Sequence, residues 1–274
     1  MNEAVRLATE RLRAGGIESA RREARVLWEH THSVTGGVDG TFESAIARRL
    51  AHEPIAYITG EKEFWSLAFK VGPGALIPRP ETETLIEGAL REFSDREAPL
   101  SVLDLGTGSG CLLITFLMNY PKARGTGIDI SEDALRWARA NAAQHGVSTR
   151  STFRRTDWAE LGPAVYDVVL ANPPYIPTEE LEGLSPDVVR YEPHLALSGG
   201  MDGLDAYRAL AQLLRTSLAP EGRAFLEIGQ GQHHVVSQIL ESAGLQLARI
   251  VEDLAGIPRC VVAKAHPEAR NTAK

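Results

Sequence analysis

Apolar residues in the first sixty positions recur at the spacing of one helical face. Three such stripes run over residues 5–12, 20–28 and 42–50, and each predicts a short amphipathic helix. Glycine pairs at 15–16 and 36–37 end the first two stripes, and Thr41 is a candidate N-cap for the third. The pattern therefore predicts a small helical module, for which a structural cap and a partner-binding unit are equally good interpretations.

The apolar period changes to two after residue 63. Trp65, Leu67, Phe69 and Val71 alternate with small or polar residues, which predicts a strand. A Gly-Pro-Gly turn follows, and the two prolines of the segment IPRPETE keep the backbone extended, so no helix is expected before about residue 81. Residues 61–80 are therefore predicted to form a linker that contains a hairpin.

Strands and helices alternate from residue 101 onward. Predicted strands are SVLDL (101–105), GTGIDI (125–130), STFRRTDW (151–158), YDVVLA (166–171), AFLEIG (224–229), LQLARIVED (245–253) and RCVVAKA (259–265). Helical patterns follow many of them, at 112–120, after an N-cap at Ser131, at 204–218 and at 232–243. This repetition predicts an α/β fold with a parallel sheet covered by helices on both faces. Residues 266–274 are expected to be a frayed tail.

Composition narrows the class of protein. Charged residues are 24% and the hydrophobic set is 43% of the 274 residues, which is typical of a globular chain. The sequence contains no run of eighteen apolar residues, so no membrane span is predicted, and the N-terminus lacks the apolar segment of a secretory signal. We therefore expect a cytoplasmic protein without membrane contact. The net charge of −7 argues against sequence-independent binding to nucleic acid.

Metal and disulfide chemistry are not expected. Two cysteines, Cys111 and Cys260, are too few for a disulfide framework or a zinc cluster. The histidine pairs His30/His32 and His233/His234 lack the further ligands that a zinc site needs.

A glycine-rich loop follows the strand SVLDL and opens a helix. Its sequence, residues 106–110, is Gly-Thr-Gly-Ser-Gly, and glycines at a strand-to-helix turn let a ligand approach the backbone and the helix N-terminus. A dinucleotide fingerprint would place a third glycine at position 111, which is Cys111, and a phosphate-binding loop would need a Lys. The alternative interpretation is a tight turn without a ligand.

Asp129 ends the next strand, about twenty residues after the glycine loop. A carboxylate at that position can accept hydrogen bonds from the two hydroxyls of a ribose. Helix capping is the alternative role, but Ser131 already provides a cap. Trp158, at the end of the third predicted strand, is either a flat neighbour for an adenine ring or a core residue. Together these residues predict a nucleoside ligand.

The segment Asn172-Pro173-Pro174-Tyr175 follows the strand YDVVLA. A planar –NH₂ group has two N–H donors, and the Asn172 side-chain carbonyl and the Pro173 backbone carbonyl can each accept one. This arrangement would hold the nitrogen with its lone pair directed at an electrophile. Tyr175 could stack on the same flat group. The alternative interpretation is a proline-rich turn that happens to lie at a strand end.

These motifs resemble those of a known enzyme class. The order DLGTGSG, GIDIS, NPPY resembles class I S-adenosylmethionine-dependent methyltransferases that act on amide or exocyclic amino nitrogen. The segments FWSLAFKVGPGALIPRPETE and YEPHLALSGGMDGLDAYR further resemble the release factor glutamine methyltransferases of the PrmC/HemK family. The resemblance spans nearly the whole chain, and the N-terminal helices are its least specific part.

The resemblance implies roles for individual residues. The residues implied to bind the cofactor are Gly106, Thr107, Gly108, Ser109, Gly110, Asp129, Trp158 and Asn172. Those implied to bind the substrate are Asn172, Pro173, Pro174, Tyr175 and Arg79, with Asn172, Pro173 and Tyr175 as the catalytic group. For Arg79, a structural ion pair with Glu81 or Glu83 is an equally good interpretation.

The resemblance also implies a fold and a reaction. The fold would be Rossmann-like, with a mostly parallel seven-stranded sheet, a helical substrate-docking domain at 1–60, a hairpin linker at 61–80 and a methyltransferase domain at 81–274. The reaction would transfer a methyl group from S-adenosylmethionine to N5 of the glutamine in the Gly-Gly-Gln motif of class 1 peptide chain release factors. The products would be N5-methylglutamine and S-adenosylhomocysteine.

Three other functions use the same motifs. An adenine-N6 DNA methyltransferase would apply the Asn-Pro-Pro-Tyr geometry to a flipped base. Such an enzyme usually needs a basic groove and a target-recognition segment, whereas this chain is acidic and has no insertion between the motifs that is long enough for one. No direct DNA binding is therefore expected. A glutamine methyltransferase of a ribosomal protein differs only in its substrate. A cofactor-sensing or structural protein predicts a damaged glycine loop or Asn-Pro-Pro-Tyr motif, and both are intact.

Overall fold

The N-terminal helices pack around an apolar cluster of their own. The computed structural model describes residues 2–35 and 41–266. Its first helices are α1 (Glu3–Ala14), α2 (Ala20–Thr35), α3 (Thr41–Leu50) and the short α4 (Ile55–Thr59). Leu12, Leu27 and Ile46 are completely buried between them, as the apolar stripes predict. Helix α3 begins at Thr41 itself. The predicted helix break at 36–37 and the predicted tail beyond residue 266 lie outside the described residues.

A two-stranded hairpin follows these helices. Strands β1 (Glu61–Phe64) and β2 (Leu67–Lys70) are antiparallel, with Phe64 opposite Leu67. The prediction that Trp65 belongs to a strand is therefore wrong. Trp65 and Ser66 form the turn and both have positive φ, 55° and 58°, as a tight two-residue hairpin requires. Because the apolar alternation continues through the turn, the sequence pattern does not reveal where the turn lies.

The main sheet has seven strands in the order β5-β4-β3-β6-β7-β9-β8. Its strands are β3 (Ser101–Leu105), β4 (Arg124–Asp129), β5 (Ser151–Arg155), β6 (Tyr166–Ala171), β7 (Leu218–Glu227), β8 (Leu245–Glu252) and β9 (Pro258–Ala265). All neighbours from β5 to β7 are parallel, and β9 is antiparallel to both β7 and β8. The predicted α/β fold with a mostly parallel seven-stranded sheet is confirmed.

Helices cover both faces of this sheet. They are α5 (Glu83–Glu92), α6 (Cys111–Asn119), α7 (Glu132–Gln144), α9 (Asp205–Ser217) and α10 (His233–Ser242). The short helix α8 (Pro186–Tyr191) packs elsewhere, with Tyr191 against a cluster that includes Tyr57 and Ile77. Successive strand residues alternate between two cores, since Val102 and Val168 pack with α5 and α6 whereas Leu103 and Val169 pack with α9 and α10. Within residues 2–35 and 41–266, no helix has the length and apolarity that crossing a membrane requires.

One strand end differs from its prediction. The sequence pattern extended the third strand to Trp158, but β5 ends at Arg155 and a short 3₁₀ helix spans Trp158–Glu160. The Asp157 carboxylate accepts a hydrogen bond from the Ala159 amide at 2.9 Å, and this local bond favours a turn over continued strand pairing.

The strand order brings three strand ends together. The chain leaves β3 toward β4 and β5 on one side and returns to β6 on the other side of β3. Ligands of open α/β sheets bind at the carboxyl ends of strands where the order reverses in this way. The glycine loop, Asp129 and Asn172 follow or end β3, β4 and β6, so all three lie at that edge.

Candidate functional site

A cavity of about 350 Å³ opens at the carboxyl ends of β3, β4 and β6, a size in the range of small-molecule sites. The cavity brings together nine of the sequence-predicted residues, which are Arg79, Gly106, Thr107, Gly108, Ser109, Asp129, Trp158, Asn172 and Pro174. Three others, Gly110, Pro173 and Tyr175, do not line it. The linear sequence therefore predicts nine of the 23 residues that line the cavity.

The glycine loop is held by hydrogen bonds within the protein. Gly106, Gly108 and Gly110 have φ values of 71°, 56° and 81°, a region that other residues rarely adopt. The amides of Gly106 and Thr107 both donate to the Ile128 carbonyl at 2.9 Å. These two amides are therefore not free for a ligand, and ligand binding by the N–H groups at the start of α6 stays a prediction. Ser109 lines the cavity, and its buried hydroxyl has no partner at hydrogen-bond geometry among the described residues.

Asp129 joins the glycine loop to the next helix. One carboxylate oxygen, Oδ2, accepts from the Gly108 amide and the other, Oδ1, from the Ser131 amide, each at 2.9 Å. The Ser131 hydroxyl caps α7 by accepting from the Ala134 amide at 3.2 Å, as predicted. Burial raises the pKa of Asp129. Since each carboxylate oxygen has two lone pairs, Asp129 can hold the loop and still accept bonds from a ligand.

Trp158 lies between the cavity and the apolar core, and its role as a neighbour of adenine stays a prediction. It lies over the glycine loop, since a Cβ built on Gly106 would be 3.7 Å from Trp158 Cζ2. It lines the cavity and also packs against the apolar cluster under α9 and α10. A flat, partly exposed ring at this position offers one face to a planar ligand.

Asn172 is oriented by a residue of the IPRPETE segment. Its Nδ2 group donates to the Thr82 hydroxyl at 3.1 Å, and both residues line the cavity. Because the amide nitrogen is engaged with Thr82, the amide oxygen Oδ1 is left as an acceptor. This orientation is the one that binding of an –NH₂ group requires.

Tyr175 is directed away from the cavity wall. Its hydroxyl lies 3.3 Å from Glu227 Oε1, to which it donates, and its carbonyl accepts from Gln232 Nε2 at 3.0 Å. Burial raises the pKa of Tyr175. Stacking of Tyr175 on a substrate therefore stays a prediction.

Arg79 forms an ion pair, but not with the partners that the sequence suggested. Its guanidinium pairs with Glu192, whose side chain is 1% exposed, instead of with Glu81 or Glu83. The second Glu192 oxygen accepts from the Ile77 amide at 3.0 Å. Glu192 thus ties two walls of the cavity together, and Arg79 is at the same time a structural partner and a lining residue.

Comparison with known proteins agrees with this geometry. A family model described as a methyltransferase domain matches residues 97–216, and one described as the PrmC N-terminal domain matches residues 31–60. A release factor glutamine methyltransferase of Cereibacter sphaeroides is 43% identical and covers 96% of this chain and 97% of its own. The chain belongs to the release factor glutamine methyltransferase family.

Other relatives of the family extend the similarity. A release factor glutamine methyltransferase of Moorella thermoacetica is 40% identical over 98% of this chain and 99% of its own. A solved methyltransferase structure from Pyrococcus furiosus is 16% identical, covers 82% of this chain and 99% of its own, and has a TM-score of 0.54. At that identity the structure shares the fold alone.

Sequence reasoning missed the buried polar residues Thr82 and Glu227 near the site of this family member, and it named Asp104 only as the first residue of the motif DLGTGSG. All three are nearly inaccessible to solvent. Burial raises the pKa of Asp104 and of Glu227 to about 7 in each case. The available signal was an acidic residue near the end of an otherwise apolar strand, because such a side chain must find a polar partner at the sheet edge.

The described residues contain no metal cluster. Across 2–35 and 41–266, no three His, Cys, Asp or Glu side chains are grouped so as to hold a metal ion. Cys111 and Cys260 are both buried, and burial raises the pKa of each thiol.

Gly110 should tolerate alanine less well than Gly146 does. Both have positive φ, 81° and 70°, so alanine costs about 1–2 kcal/mol of backbone strain at either position. At Gly110 a Cβ would also lie 2.9 Å from Ile114 Cδ1 and 3.2 Å from Ala138 Cα, whereas nothing lies within 4 Å at Gly146. The clash should add about 1–3 kcal/mol. Urea unfolding of Gly110→Ala and Gly146→Ala measures the difference, and equal losses would contradict this packing.

Proposed function

We propose that this chain transfers a methyl group from S-adenosylmethionine to N5 of the glutamine in the Gly-Gly-Gln motif of class 1 peptide chain release factors. The products are N5-methylglutamine and S-adenosylhomocysteine, and the reaction takes place in the cytoplasm, where that substrate is made. Membership of the release factor glutamine methyltransferase family supports the reaction. The observation that carries it is the Asn172 amide, oriented by Thr82 at the cavity edge.

The cavity fits S-adenosylmethionine. Asp129 supplies a carboxylate for the ribose hydroxyls, and Trp158 supplies an apolar face for adenine. The buried Ser109 hydroxyl without a partner among the described residues and the start of α6 suit the polar methionine end of the cofactor. Thr107, Gly106, Gly108 and Gly110 shape the loop that carries these groups. When bound, the cofactor supplies an electrophilic methyl group on a sulfonium.

The protein's own part in the reaction is to orient the substrate amide. An amide nitrogen is a weak nucleophile because its lone pair is delocalised into the carbonyl. Asn172 Oδ1 and the Pro173 carbonyl oxygen accept the two N–H bonds and favour positive charge on the nitrogen as the new bond forms. Pro173 and Pro174 stiffen the backbone that carries both acceptors. The amide loses its proton late, so no strong base is needed.

Arg79 and the N-terminal helices provide the substrate-facing side. Arg79 lines the cavity and is 33% exposed, while Glu192 fixes its position. Helix α4 contacts the cavity wall at Ala75, whose carbonyl accepts from the Tyr57 hydroxyl at 2.7 Å. Outside the cavity, the Tyr191 hydroxyl donates to the Ala51 carbonyl at 3.0 Å. We assign 1–60 to release factor docking, 61–80 to the linker and 81–274 to the methyltransferase domain.

Methyl transfer from labelled S-adenosylmethionine tests the proposal. Purified release factor, ribosomal proteins and adenine-containing DNA are offered separately, with a release factor whose Gly-Gly-Gln glutamine is replaced by glutamate as the matched control. We expect label on the intact release factor only. Label on the control substrate, on a ribosomal protein or on DNA, with none on the intact release factor, would overturn the proposed substrate.

A further inference from the structure

We infer that Glu227 is a positioning residue for methyl transfer, because its buried carboxylate fixes the Thr82 hydroxyl proton and thereby sets which way the Asn172 amide faces. The inference deepens the proposed function and rests on it in one respect, namely that Asn172 binds the amide to be methylated.

Strand pairing brings Glu227 next to Asn172. In the parallel pair of β6 and β7, Ala171 lies opposite Leu226. Asn172 follows Ala171 directly, and Glu227 follows Leu226 directly. Glu227 is 1% exposed. Its Oε1 accepts from the Tyr175 hydroxyl at 3.3 Å, whereas Oε2 is buried without a partner at hydrogen-bond geometry among the described residues. A buried carboxylate with spare acceptor capacity attracts any neighbouring hydroxyl proton.

Thr82 connects the carboxylate to Asn172. A hydroxyl has one proton and two lone pairs, and Asn172 Nδ2 already donates to the Thr82 oxygen at 3.1 Å. The Thr82 proton is therefore left to be donated, and hydrogen bonding of Thr82 to the Glu227 carboxyl lowers the pKa of that carboxyl. The Thr82 proton is thus left for the spare Oε2 acceptor of Glu227, so the direction of donation is from the Asn172 amide to Thr82 and from Thr82 toward Glu227.

This direction decides what the cavity presents to a substrate. With Nδ2 bound to Thr82, Asn172 directs Oδ1 at the incoming –NH₂ group. If Glu227 is protonated, its O–H can donate to the Thr82 oxygen, and the Thr82 proton is then free to be donated to Asn172 Oδ1. Asn172 could then turn its amide round and meet the substrate donors with donors of its own, which is repulsive.

Protonation of Glu227 is expected to have this effect. Burial is the largest influence on its pKa and raises it to about 7, against the lowering influence of Thr82 and Tyr175. The other titratable groups that act on Glu227 or are acted on by it are Glu81, Arg259, Tyr207, Cys111 and Cys260. Above pH of about 7 the carboxylate accepts from Thr82, and below it a protonated carboxyl can donate instead.

The state of Asn172 can be measured without any substrate. We expect the side-chain ¹⁵N–¹H signals of Asn172, assigned by their loss in Asn172→Ala, to titrate with a midpoint near pH 7 in the wild type. Glu227→Gln should abolish this titration, since a glutamine keeps the volume and cannot ionise. Tyr207→Phe is the matched control and should keep it, because Tyr207 donates to the Glu227 backbone carbonyl at 2.9 Å and not to its carboxylate. An Asn172 titration that is absent, or unchanged in Glu227→Gln, would overturn the inference.

Kinetics provide the second readout. Glu227→Gln should lower kcat for release factor methylation by up to about 100-fold, leave the KM for release factor within about threefold, and remove a rise of kcat through pH of about 7. Thr82→Val should do the same, and the double variant should be no slower than either single variant, because both break one chain of bonds. Wild-type kcat and pH profile in Glu227→Gln would overturn the positioning role. A wild type that methylates no release factor would overturn the proposed function instead, and the Asn172 titration would still decide this inference.

Discussion

Replacing Asn172 with alanine should reduce kcat for methyl transfer by about 100- to 1,000-fold, which is the usual cost of removing one group that stabilises charge in a transition state. The loss arises because the substrate amide keeps only the Pro173 carbonyl as an acceptor and is free to rotate. Single-turnover methylation of release factor by enzyme already loaded with S-adenosylmethionine measures this step without interference from cofactor binding.

The Asn172→Ala result has an internal control. Because the Gly loop and Asp129 are untouched, affinity for S-adenosylhomocysteine should stay within about threefold of wild type, so the loss appears in kcat. Retention of near-wild-type kcat would show that Asn172 does not hold the reacting amide. A loss confined to cofactor affinity would leave Asn172 with only the cofactor-binding one of the two roles that the family resemblance implies.

Replacing Asp129 with asparagine should weaken binding of S-adenosylhomocysteine by about 10- to 100-fold. Asparagine has one acceptor oxygen, so it cannot accept from both the Gly108 and Ser131 amides as Asp129 does. A charge-assisted bond to a ribose hydroxyl is lost as well, and such bonds contribute about 1.5–3 kcal/mol. Titration calorimetry at neutral pH measures the change.

Asp133→Asn is the matched control for Asp129→Asn. Asp133 is an exposed acid in the first turn of α7, paired with Arg136 at 2.6 Å, so its loss should leave cofactor affinity unchanged. Burial raises the pKa of Asp129, and the ionised form is the one that binds. Affinity should therefore fall as the pH is lowered toward that raised pKa, in the wild type and not in Asp129→Asn. Equal affinities of the two variants would contradict the ribose-binding role.

Local patterns predicted the features that depend on a few neighbouring residues. The glycine loop, the cap at Ser131 and the strand before Asn172 each follow from residue types within one turn or strand. Errors also came from local signals. Apolar alternation hid the turn at Trp65, and the Asp157 cap ended β5 earlier than its strand pattern indicated.

The remaining features depend on contacts between distant parts of the chain. The Asn172–Thr82 bond joins residues 90 positions apart, and the Arg79–Glu192 pair joins residues 113 positions apart. The periodic pattern of apolar residues cannot predict such long-range contacts. They arise only when the sheet order places β6, β7 and the IPRPETE segment at one edge. This is why Arg79 was assigned the wrong partners and why Glu227 was overlooked.

The most direct test of the account is a crystal structure with S-adenosylhomocysteine and a peptide that contains Gly-Gly-Gln. The account predicts the glutamine side-chain nitrogen within about 3 Å of both Asn172 Oδ1 and the Pro173 carbonyl oxygen. It also predicts that the nitrogen points at the sulfur and that the ribose hydroxyls lie on Asp129. A glutamine amide held elsewhere, or an Asn172 that directs its nitrogen at the peptide, would contradict the account.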